Sequence, residues 1–365
     1  MAATRCSVVA GFVRKFYCRR VLSGSKTVEH PESNISPSRT DTPNVAPNAE
    51  YIAATETVGA RILSERRVVR VVGDDRVSFF HGICSADVKG AAPGMILPAL
   101  FLTEHAHLIA DFFIWVTKDA LLLDIDDAAW RRSRAHLERL IVADDVEFEE
   151  SEASRVVDLE GARAHDAASM LASDASSLGE WRFVESADAL IGNLPRLGGP
   201  AFTILVAGNR AEAIVERIAS GVPGGRRIND DTAEILRIEN GIARAGVDTA
   251  DQTIALEARM NRAISFNKGC YLGQETIERA TARGGLKKKL FGLKFAGGRI
   301  PERGAAVKLD GKAVGRVSST ALSPRFGAIG LAILHHSAWQ PGTALGVGGC
   351  AAIAKVGELP FKSST

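Results

Sequence analysis

The chain contains few cysteines, and they are not arranged as a metal site or a disulfide framework. Its 365 residues include five, which are scattered singly as Cys6, Cys18, Cys84, Cys270 and Cys350. No CxxC pair is present, and no cysteine and histidine stand at the spacing of a zinc site. An odd number of widely separated thiols is typical of a protein from a reducing compartment. We therefore expect neither disulfide bonds nor a bound metal.

Long apolar runs and a charge imbalance are also absent. No stretch approaches the ~18 apolar residues that a membrane-spanning helix needs. The 45 basic residues nearly balance the 43 acidic ones, for a formal net charge of +2. Proteins that coat nucleic acid are usually far more basic, so any such contact is expected to be local. These features predict a soluble chain with no membrane partner and with nucleic acid disfavoured as a partner.

The common signatures of nucleotide binding and hydrolysis are missing. The chain has no HExxH, no Walker loop, no GxGxxG and no GxSxG. This excludes most dinucleotide-binding, phosphate-loop, metalloprotease and α/β-hydrolase assignments.

The first 49 residues differ in composition from the rest of the chain. From Met1 to Thr27 there are six basic residues and no acidic one, a composition that resembles a mitochondrial transit peptide. A disordered leader, or an upstream start codon in a bacterial reading frame, explains it equally well. Residues 28–48 are rich in Pro, Ser, Asn, Asp and Thr, which predicts an unstructured linker. We expect the mitochondrial matrix if the leader is a transit peptide, and the bacterial cytoplasm otherwise.

From about Glu50 the hydrophobic pattern alternates between the periods of strands and helices. Strands are predicted at Arg67–Val72, Met95–Leu102, Leu108–Val116, Ala120–Ile125, Val156–Leu159 and Phe202–Val206, and helices at Asp127–Leu140, Gly161–Leu171, Asn209–Ala219 and Asp230–Gly241. The repeated order predicts an α+β body over residues 50–285, built from two related β-α-β-type halves with a boundary near residue 150. Over residues 286–358, short β-rich segments separated by Gly and Pro predict a small antiparallel β-barrel.

The segment Asn267–Arg283 is the most informative part of the sequence for chemistry. It reads NKGCYLGQETIERATAR, and from Gln274 it predicts a helix with acids early and bases late. Cys270 therefore precedes a helix N-terminus and follows Lys268 by two residues, and both features favour the thiolate form. The alternative is a buried, inert cysteine in a tight turn.

This segment also resembles a known family. KGCYLGQE, Lys268–Glu275, matches the K-G-C-[FY]-x-G-Q-E motif of the YgfZ-type folate-binding proteins. These belong to the superfamily of the glycine-cleavage T-protein, an aminomethyltransferase, and include mitochondrial iron–sulfur cluster assembly proteins. Further similar stretches are VVGDDRVSFFHGICSADV, LFLTEHAHLIADFFIW, LRIENGIARAGVD and GRVSSTALSPRFGAIGLAIL. The resemblance covers about Glu50 to Val356.

The resemblance implies a site for tetrahydrofolate, or a one-carbon-substituted form, where the two halves and the barrel meet around a central channel. It assigns Glu239 to the pterin, whose amino-pyrimidinone edge offers paired donors to a carboxylate. A surface acid paired with Arg237 or Arg244 is the alternative. Asp111 stands where the T-protein has the second of two adjacent aspartates, but the first is Ala110 here.

Other residues receive roles by the same resemblance. Folate contacts are implied for Arg237, Tyr271, Gln274 and Glu275, and chemical roles for Cys270 and Lys268. The basic residues that follow, including Lys287–Lys289, suit a polyglutamylated folate tail better than nucleic acid, because no aromatic residues are interleaved. A solvated edge is the simplest interpretation of them.

The resemblance implies a tetrahydrofolate-binding factor that supports assembly or repair of iron–sulfur clusters. Its partners would be assembly proteins and client enzymes, particularly [4Fe–4S] and radical-SAM enzymes such as those of tRNA modification. One alternative is an aminomethyltransferase of the glycine cleavage system, which Ala110 and the KGCYLGQE motif disfavour. Another is a folate-binding scaffold without chemistry at Cys270. Whether the protein is an enzyme stays open at this point.

Overall fold

The computed structural model describes residues 46–151, 154–186, 188–282, 285–348 and 352–362. The leader therefore lies almost entirely outside the described residues, as do Cys6, Cys18 and Cys350. The helices are α1 Ala49–Glu56, α2 Arg76–Ile83, α3 Asp127–Leu140, α4 Ala164–Ser169, α5 Gly208–Gly221, α6 Asp230–Glu239 and α7 Gln274–Ala282.

The strands of the body form one sheet. They are β1 Gly59–Ile62, β2 Arg66–Val72, β3 Met95–Leu102, β4 Leu108–Val116, β5 Leu121–Asp126, β6 Glu147–Glu150, β7 Ser154–Glu160, β8 Arg182–Ser186, β9 Ala189–Asn193, β10 Ala201–Ala207 and β11 Arg226–Arg227. Their order is β11-β1-β7-β10-β9-β8-β3-β4-β5-β2-β6. The pairing between β1 and β11 is parallel, and the other described pairings in this sheet are antiparallel.

The sheet contains the two predicted halves side by side. In each half a strand runs directly into a 14-residue helix, β5 into α3 and β10 into α5. Each half has its own apolar core, one around Phe80 and Trp130 and the other around Phe202 and Val215. The halves join at the pairing of β3 with β8, where Met95 lies opposite Arg182.

The C-terminal part is a closed barrel. Its strands are β12 Lys288–Phe295, β13 Ala306–Leu309, β14 Lys312–Ser323, β15 Gly327–His335, β16 Ala344–Val347 and β17 Ala352–Gly357. They follow the order β12-β15-β14-β13-β16-β17 with antiparallel neighbours. The predicted fold class, an α+β body followed by a small antiparallel barrel, is therefore confirmed.

Several predicted bounds are correct and a few are wrong. The predicted limits of β3, β4 and α3 are those observed. Helix α4 spans only Ala164–Ser169, shorter than predicted. Asp126 caps α3 by accepting the Ala129 N–H at 2.8 Å. The halves are also not consecutive in sequence, because β1 pairs with β7 of the second half.

No helix among the described residues has the length and apolar character needed to cross a membrane.

Candidate functional site

A cavity of about 240 Å³ lies where the two halves of the sheet meet the segment after the barrel. Its wall is formed by parts of β3 and β4, by Trp181, and by residues 195–196, 240–243, 258–260, 262–263 and 359–360. Most of the lining is apolar, and the charged side chains that reach it are Asp111, Arg196, Arg259 and Arg262. A concave apolar site with a few fixed polar groups is the usual form of a small-molecule pocket.

Asp111 is the predicted site residue that lines this cavity. It lies half-buried on β4, where its Oδ1 accepts the Ala245 N–H at 3.0 Å. No hydrogen bond to its Oδ2 is found among the described residues. Ala110 is fully buried in the apolar core of the first half. Because successive strand residues point to opposite faces, an aspartate at position 110 would face that core rather than the cavity.

Arg196, which sequence reasoning missed, forms another part of the wall. Its guanidinium lies 4.8 Å from the centroid of the Phe113 ring. The centroid of the Trp181 ring lies 6.2 Å from the same Phe113 centroid. All three residues line the cavity. They come from distant parts of the chain and belong to no motif, so only the tertiary structure brings them together.

Arg196 is held by two buried aspartates. Its Nε lies 3.1 Å from Asp158 Oδ2, and its Nη2 donates to Asp124. Arg66 also donates to Asp124, and Arg61 lies 3.6 Å from Asp158. Burial acts to raise the pKa of Asp124, but the charges of Arg196 and Arg66 outweigh it and hold the pKa below its ordinary value. These ion pairs therefore hold the Arg196 guanidinium in one position.

Glu239 does not line the central cavity. It is only 4 % exposed and accepts hydrogen bonds from Tyr51 Oη at 2.8 Å and from Ser323 Oγ. It borders a separate cavity of about 180 Å³, together with Glu160 and Arg325. Burial raises the pKa of Glu239, against the opposing effect of its two hydroxyl partners. The alternative of a surface acid on this helix is therefore wrong, and the folate contact stays a prediction.

Arg237 connects the body with the barrel. It is 4 % exposed, pairs with Glu234, and donates to Asp248 Oδ2 at 2.6 Å and to Ser319 Oγ at 2.7 Å. Ser319 belongs to β14, so this side chain fastens α6 to the barrel. Its guanidinium is occupied by these partners, and it does not line the central cavity.

The Lys268 side chain has a structural role that the sequence did not reveal. Its ammonium group donates to the carbonyl oxygens of Cys84 at 2.7 Å and Ala86 at 2.8 Å, and also to that of His81. An ammonium has three donors, so none is left for Cys270. The predicted support of a Cys270 thiolate by this ammonium therefore lacks a hydrogen bond. Lys268 also lies 4.7 Å from the centroid of the Tyr271 ring.

The neighbouring residues of the motif shape the start of α7. Gln274 Oε1 accepts the Tyr271 N–H at 3.2 Å, and its Nε2 donates to Glu278 at 2.6 Å. Glu275 is exposed and pairs with Arg279. Gly273 has φ +87°, and a Cβ there would lie 2.7 Å from the Thr103 carbonyl oxygen, so this turn requires glycine.

Cys270 itself is exposed, whereas Cys84 is fully buried. Tyr271 is buried, and burial raises its pKa to about 12. Residues 268–275 do not line the central cavity. The structure thus places the predicted site residues in three separate regions. Asp111 lies at the cavity, Glu239 and Arg237 lie next to the barrel, and Cys270 lies on the exposed loop before α7, residues 267–273, which we call the cysteine loop. Among the described residues no group of three or more His, Cys, Asp or Glu is placed to hold a metal.

The chain matches two family descriptions. The GCVT N-terminal domain matches residues 29–268, and the Glycine cleavage T-protein C-terminal barrel domain matches residues 288–362. Residues 269–287, which include Cys270 and α7, fall between the two matches.

Named relatives agree with these matches. The chain is 28 % identical over 294 residues to an aminomethyltransferase of Rubrobacter xylanophilus, covering 78 % of each chain. It is 25 % identical over 319 residues to an aminomethyltransferase of Bacillus subtilis, covering 82 % of this chain and 85 % of the other.

A solved structure has the same fold. The glycine cleavage system aminomethyltransferase T of Bartonella henselae superposes with a TM-score of 0.78 at 19 % identity, covering 86 % of this chain and 88 % of that one. At this identity the likeness concerns the fold alone. The two domain matches, in contrast, extend over most of the chain in the order in which its body and barrel are folded, and the protein therefore belongs to the glycine-cleavage T-protein family.

Proposed function

We propose that the protein binds tetrahydrofolate in the central cavity and, together with the exposed Cys270, supports assembly or repair of iron–sulfur clusters. A folate carries a flat pterin ring with donors and acceptors along its edge. The cavity offers the Phe113 and Trp181 rings, the Asp111 carboxylate and the Arg196 guanidinium, which fit such a ring. The bound folate would supply nitrogen atoms that carry a one-carbon unit.

The observation that carries the iron–sulfur part of the proposal is the exposure of Cys270. Of the two described cysteines it is the exposed one, on a loop that Lys268 ties to three backbone carbonyls. A thiol held this way is accessible to a partner protein. One thiolate does not hold a cluster alone, so the proposed chemistry is redox, sulfur or transient cluster chemistry. The KGCYLGQE motif supports a place in the YgfZ-type subfamily.

Aminomethyl transfer is the second candidate, and the names of the relatives favour it over the first. The specific observation is Asp111, whose carboxylate borders the cavity with one oxygen that has no hydrogen bond within the described residues. That oxygen would accept a hydrogen bond from a folate N–H and orient the nitrogen toward the group to be transferred. The Ala245 N–H fixes the carboxylate for this role.

The decisive experiment has a binding step and an activity step. Calorimetry with tetrahydrofolate tests the site first, and absence of binding would overturn both candidates. The purified protein is then supplied with a lipoamide-bound aminomethyl donor and tetrahydrofolate. We expect no methylene-folate formation at an enzymatic rate. Formation at such a rate that Asp111→Asn abolishes would establish the second candidate instead.

The role of Cys270 is tested in cells. A strain that lacks the gene is complemented with the wild type, with Cys270→Ser, or with Asn267→Ala as a control at an exposed position of the same loop. We expect the activity of iron–sulfur enzymes to return with the wild type and the control, and to stay low with Cys270→Ser. Full recovery with Cys270→Ser would show that the thiol has no chemical role.

A further inference from the structure

Positive charge is concentrated in the C-terminal barrel. Residues 286–365 contain 12 basic and three acidic residues, whereas the rest of the chain contains 33 basic and 40 acidic ones. The near-neutral net charge therefore belongs to a chain that is acidic outside the barrel and strongly basic within it. The three acids of this part, Glu302, Asp310 and Glu358, all lie outside its strands. A basic part of this kind is the electrostatic footprint of a site for a polyanion.

Several of these basic residues share one solvent-facing side of the barrel. Buried and exposed residues alternate along β13, β16 and β17, and the buried ones, such as Val307, Leu345 and Ala354, form the barrel core. The alternate positions therefore face outward. They include Lys308 on β13, Ala344 and Gly346 on β16, and Ile353 and Lys355 on β17. The body covers a different side, where Ile238 of α6 packs against Ile329 and Leu331 of β15.

Strand pairing places cations on two flanks of this side and small residues between them. On one flank Lys355 lies opposite Lys294 of β12. On the other, Lys308 lies next to β14, on which Arg316 pairs with Ala306. Strand β16 lies between β13 and β17, so strand spacing separates the flanks by about 10 Å. We call this surface, formed by Lys294, Lys308, Arg316, Ala344, Gly346 and Lys355, the basic face.

The cations of the basic face have no partner of opposite charge within the described residues. No ion pair is found there for any of the four. Lys294 and Lys355 instead lie directly opposite one another, and like charges in that position destabilise an antiparallel pair. An anion bound at this flank would remove the repulsion.

The composition of the basic face favours nucleic acid over an acidic protein. Protein–protein interfaces are depleted in Lys and Ala and depend on aromatic anchors, whereas the outward positions of β13, β16 and β17 carry no aromatic residue. Interfaces with nucleic acid are more polar and more positively charged, and most of their hydrogen bonds reach phosphate and sugar. Because bases stack on aromatic side chains, their absence favours contacts with a duplex backbone.

We propose that the basic face binds double-stranded RNA across its minor groove. That groove is wide and shallow, and its floor displays 2′-hydroxyl groups between two rows of phosphates. Cations on the two flanks would meet the two rows, while Ala344 and Gly346 let the convex barrel surface approach the floor. Four strands, β17, β16, β13 and β14, are about 14 Å wide, too wide for the ~12 Å major groove or the ~6 Å minor groove of B-form DNA. This activity goes beyond the proposed function and needs neither folate nor Cys270.

The test uses the full-length protein and a fluorescent RNA duplex of about 20 base pairs, slightly longer than the ~16 that minor-groove modules span. Anisotropy titrations are run at several salt concentrations. Combining Lys308→Glu with Lys355→Glu should weaken binding at least about 10-fold and reduce the slope of log Kd against log salt by about 2. The matched control combines Lys89→Glu with Lys118→Glu, the same charge change on exposed lysines of the body. It should bind within about twofold of wild type, because salt screens distant charges.

Loss of binding can be distinguished from loss of folding. Lys355→Glu places a carboxylate opposite Lys294, so the urea midpoint of the face variant should not fall below that of wild type. Absence of RNA binding by the wild type at low salt, or equal losses of RNA affinity in the two double variants, would overturn the proposal.

The wild type alone separates the possible polyanions. We expect it to bind the RNA duplex more tightly than a DNA duplex of the same sequence, and poly-glutamate at equal charge should not displace the RNA. Equal or tighter binding of DNA would overturn the assignment to the RNA groove, and displacement by poly-glutamate would assign the face to an acidic protein instead. Cys270→Ser should bind RNA like the wild type, so failure of this proposal and failure of the proposed function are distinguishable.

Discussion

Arg237 Nη1 lies 2.6 Å from Asp248 Oδ2, in an ion pair that is buried where the body meets the barrel. Asp248 Oδ1 in turn accepts from the hydroxyls of Ser318 at 2.6 Å and Ser319 at 2.7 Å, both on β14. Arg237, to which the T-protein resemblance assigns a folate contact, is thus part of the junction between the body and the barrel. These bonds hold the carboxyl end of α6, and residues 240–243, which follow α6, form part of the cavity wall.

Asp248→Asn should strongly destabilise the protein. The substitution removes a charge from beside a buried guanidinium, and loss of one partner of a buried pair costs about 3 kcal/mol or more. Urea unfolding measures the free energy of unfolding. Glu234→Gln is the control, because Glu234 pairs with the same arginine from a more exposed position, and a loss of about 1 kcal/mol is expected there. Equal losses of unfolding free energy in the two variants would show that Asp248 contributes no more to the junction than Glu234 does.

Glu160 should make stability fall as pH rises. Burial and the neighbouring charge of Asp158 raise the pKa of Glu160 well above its ordinary value of 4.5. Above pH 4.5 the unfolded chain releases this proton while the folded protein keeps it, so folding loses about 1.4 kcal/mol per pH unit up to the folded pKa. Glu160→Gln carries no such proton. Urea unfolding should give similar stabilities for variant and wild type near pH 4, and a growing advantage of the variant toward pH 7.

A constant difference between Glu160→Gln and the wild type over this range would contradict that prediction. Other titrating groups are common to both proteins, so the difference isolates position 160.

Glu239→Gln should affect stability more than folate affinity. The carboxylate accepts from two hydroxyls, those of Tyr51 and Ser323, and borders a cavity other than the central one. Both hydroxyls reach Oε1, so an amide oxygen at that position can still accept from them, but each bond is weaker without the negative charge. We expect the free energy of unfolding to fall by about 1–3 kcal/mol. Calorimetry should give a tetrahydrofolate affinity within a factor of three of wild type if Glu239 only holds α6, and a 10-fold loss would support the predicted folate contact.

The fold could be predicted from sequence further than the site could. Strands β3 and β4 and helix α3 have strong local signals, nearly continuous apolar runs in the strands and a capped amphipathic stripe in α3, and their predicted bounds are those observed. Strand β1 is four residues long and takes its place by pairing with β7 and β11, which are distant from it in sequence. The residues around β1 in sequence do not indicate which strands it pairs with.

The same distinction explains the residues of the site. KGCYLGQE is contiguous, so it could be recognised, yet the function of its lysine depends on carbonyls of residues 81–86. Arg196, Phe113 and Trp181 meet only because β3 and β8 pair, and nothing around each of them in sequence marks a binding residue.

Lys268→Met should destabilise the cysteine loop. Its ammonium satisfies three carbonyl oxygens, and an unsatisfied buried polar group costs about 1–3 kcal/mol. We expect a loss of at least about 3 kcal/mol in urea unfolding, with faster hydrogen exchange near residues 81–86. Lys89→Met is the control, since Lys89 is exposed, and it should be nearly neutral. A stable Lys268→Met variant with unchanged exchange would show that the three bonds do not hold the loop.

Cys270 should react with alkylating reagents much faster than Cys84. Burial excludes the reagent from Cys84 and raises its pKa to about 11, whereas Cys270 is exposed. Relative to an ordinary thiol with a pKa near 8.5, a pKa of about 11 lowers the thiolate fraction at pH 7 by roughly 300-fold. Iodoacetamide labelling with mass spectrometry resolves the two sites. Native protein should be modified at Cys270 within the time that leaves Cys84 intact, and Cys84 should become reactive only in urea.

Cys270→Ser should abolish the fast phase of labelling while leaving the midpoint of urea unfolding within error of wild type, because an exposed side chain contributes little packing. Rapid native labelling of Cys84, or protection of Cys270 until unfolding, would show that the loop is closed and that Cys270 is inaccessible to a partner protein.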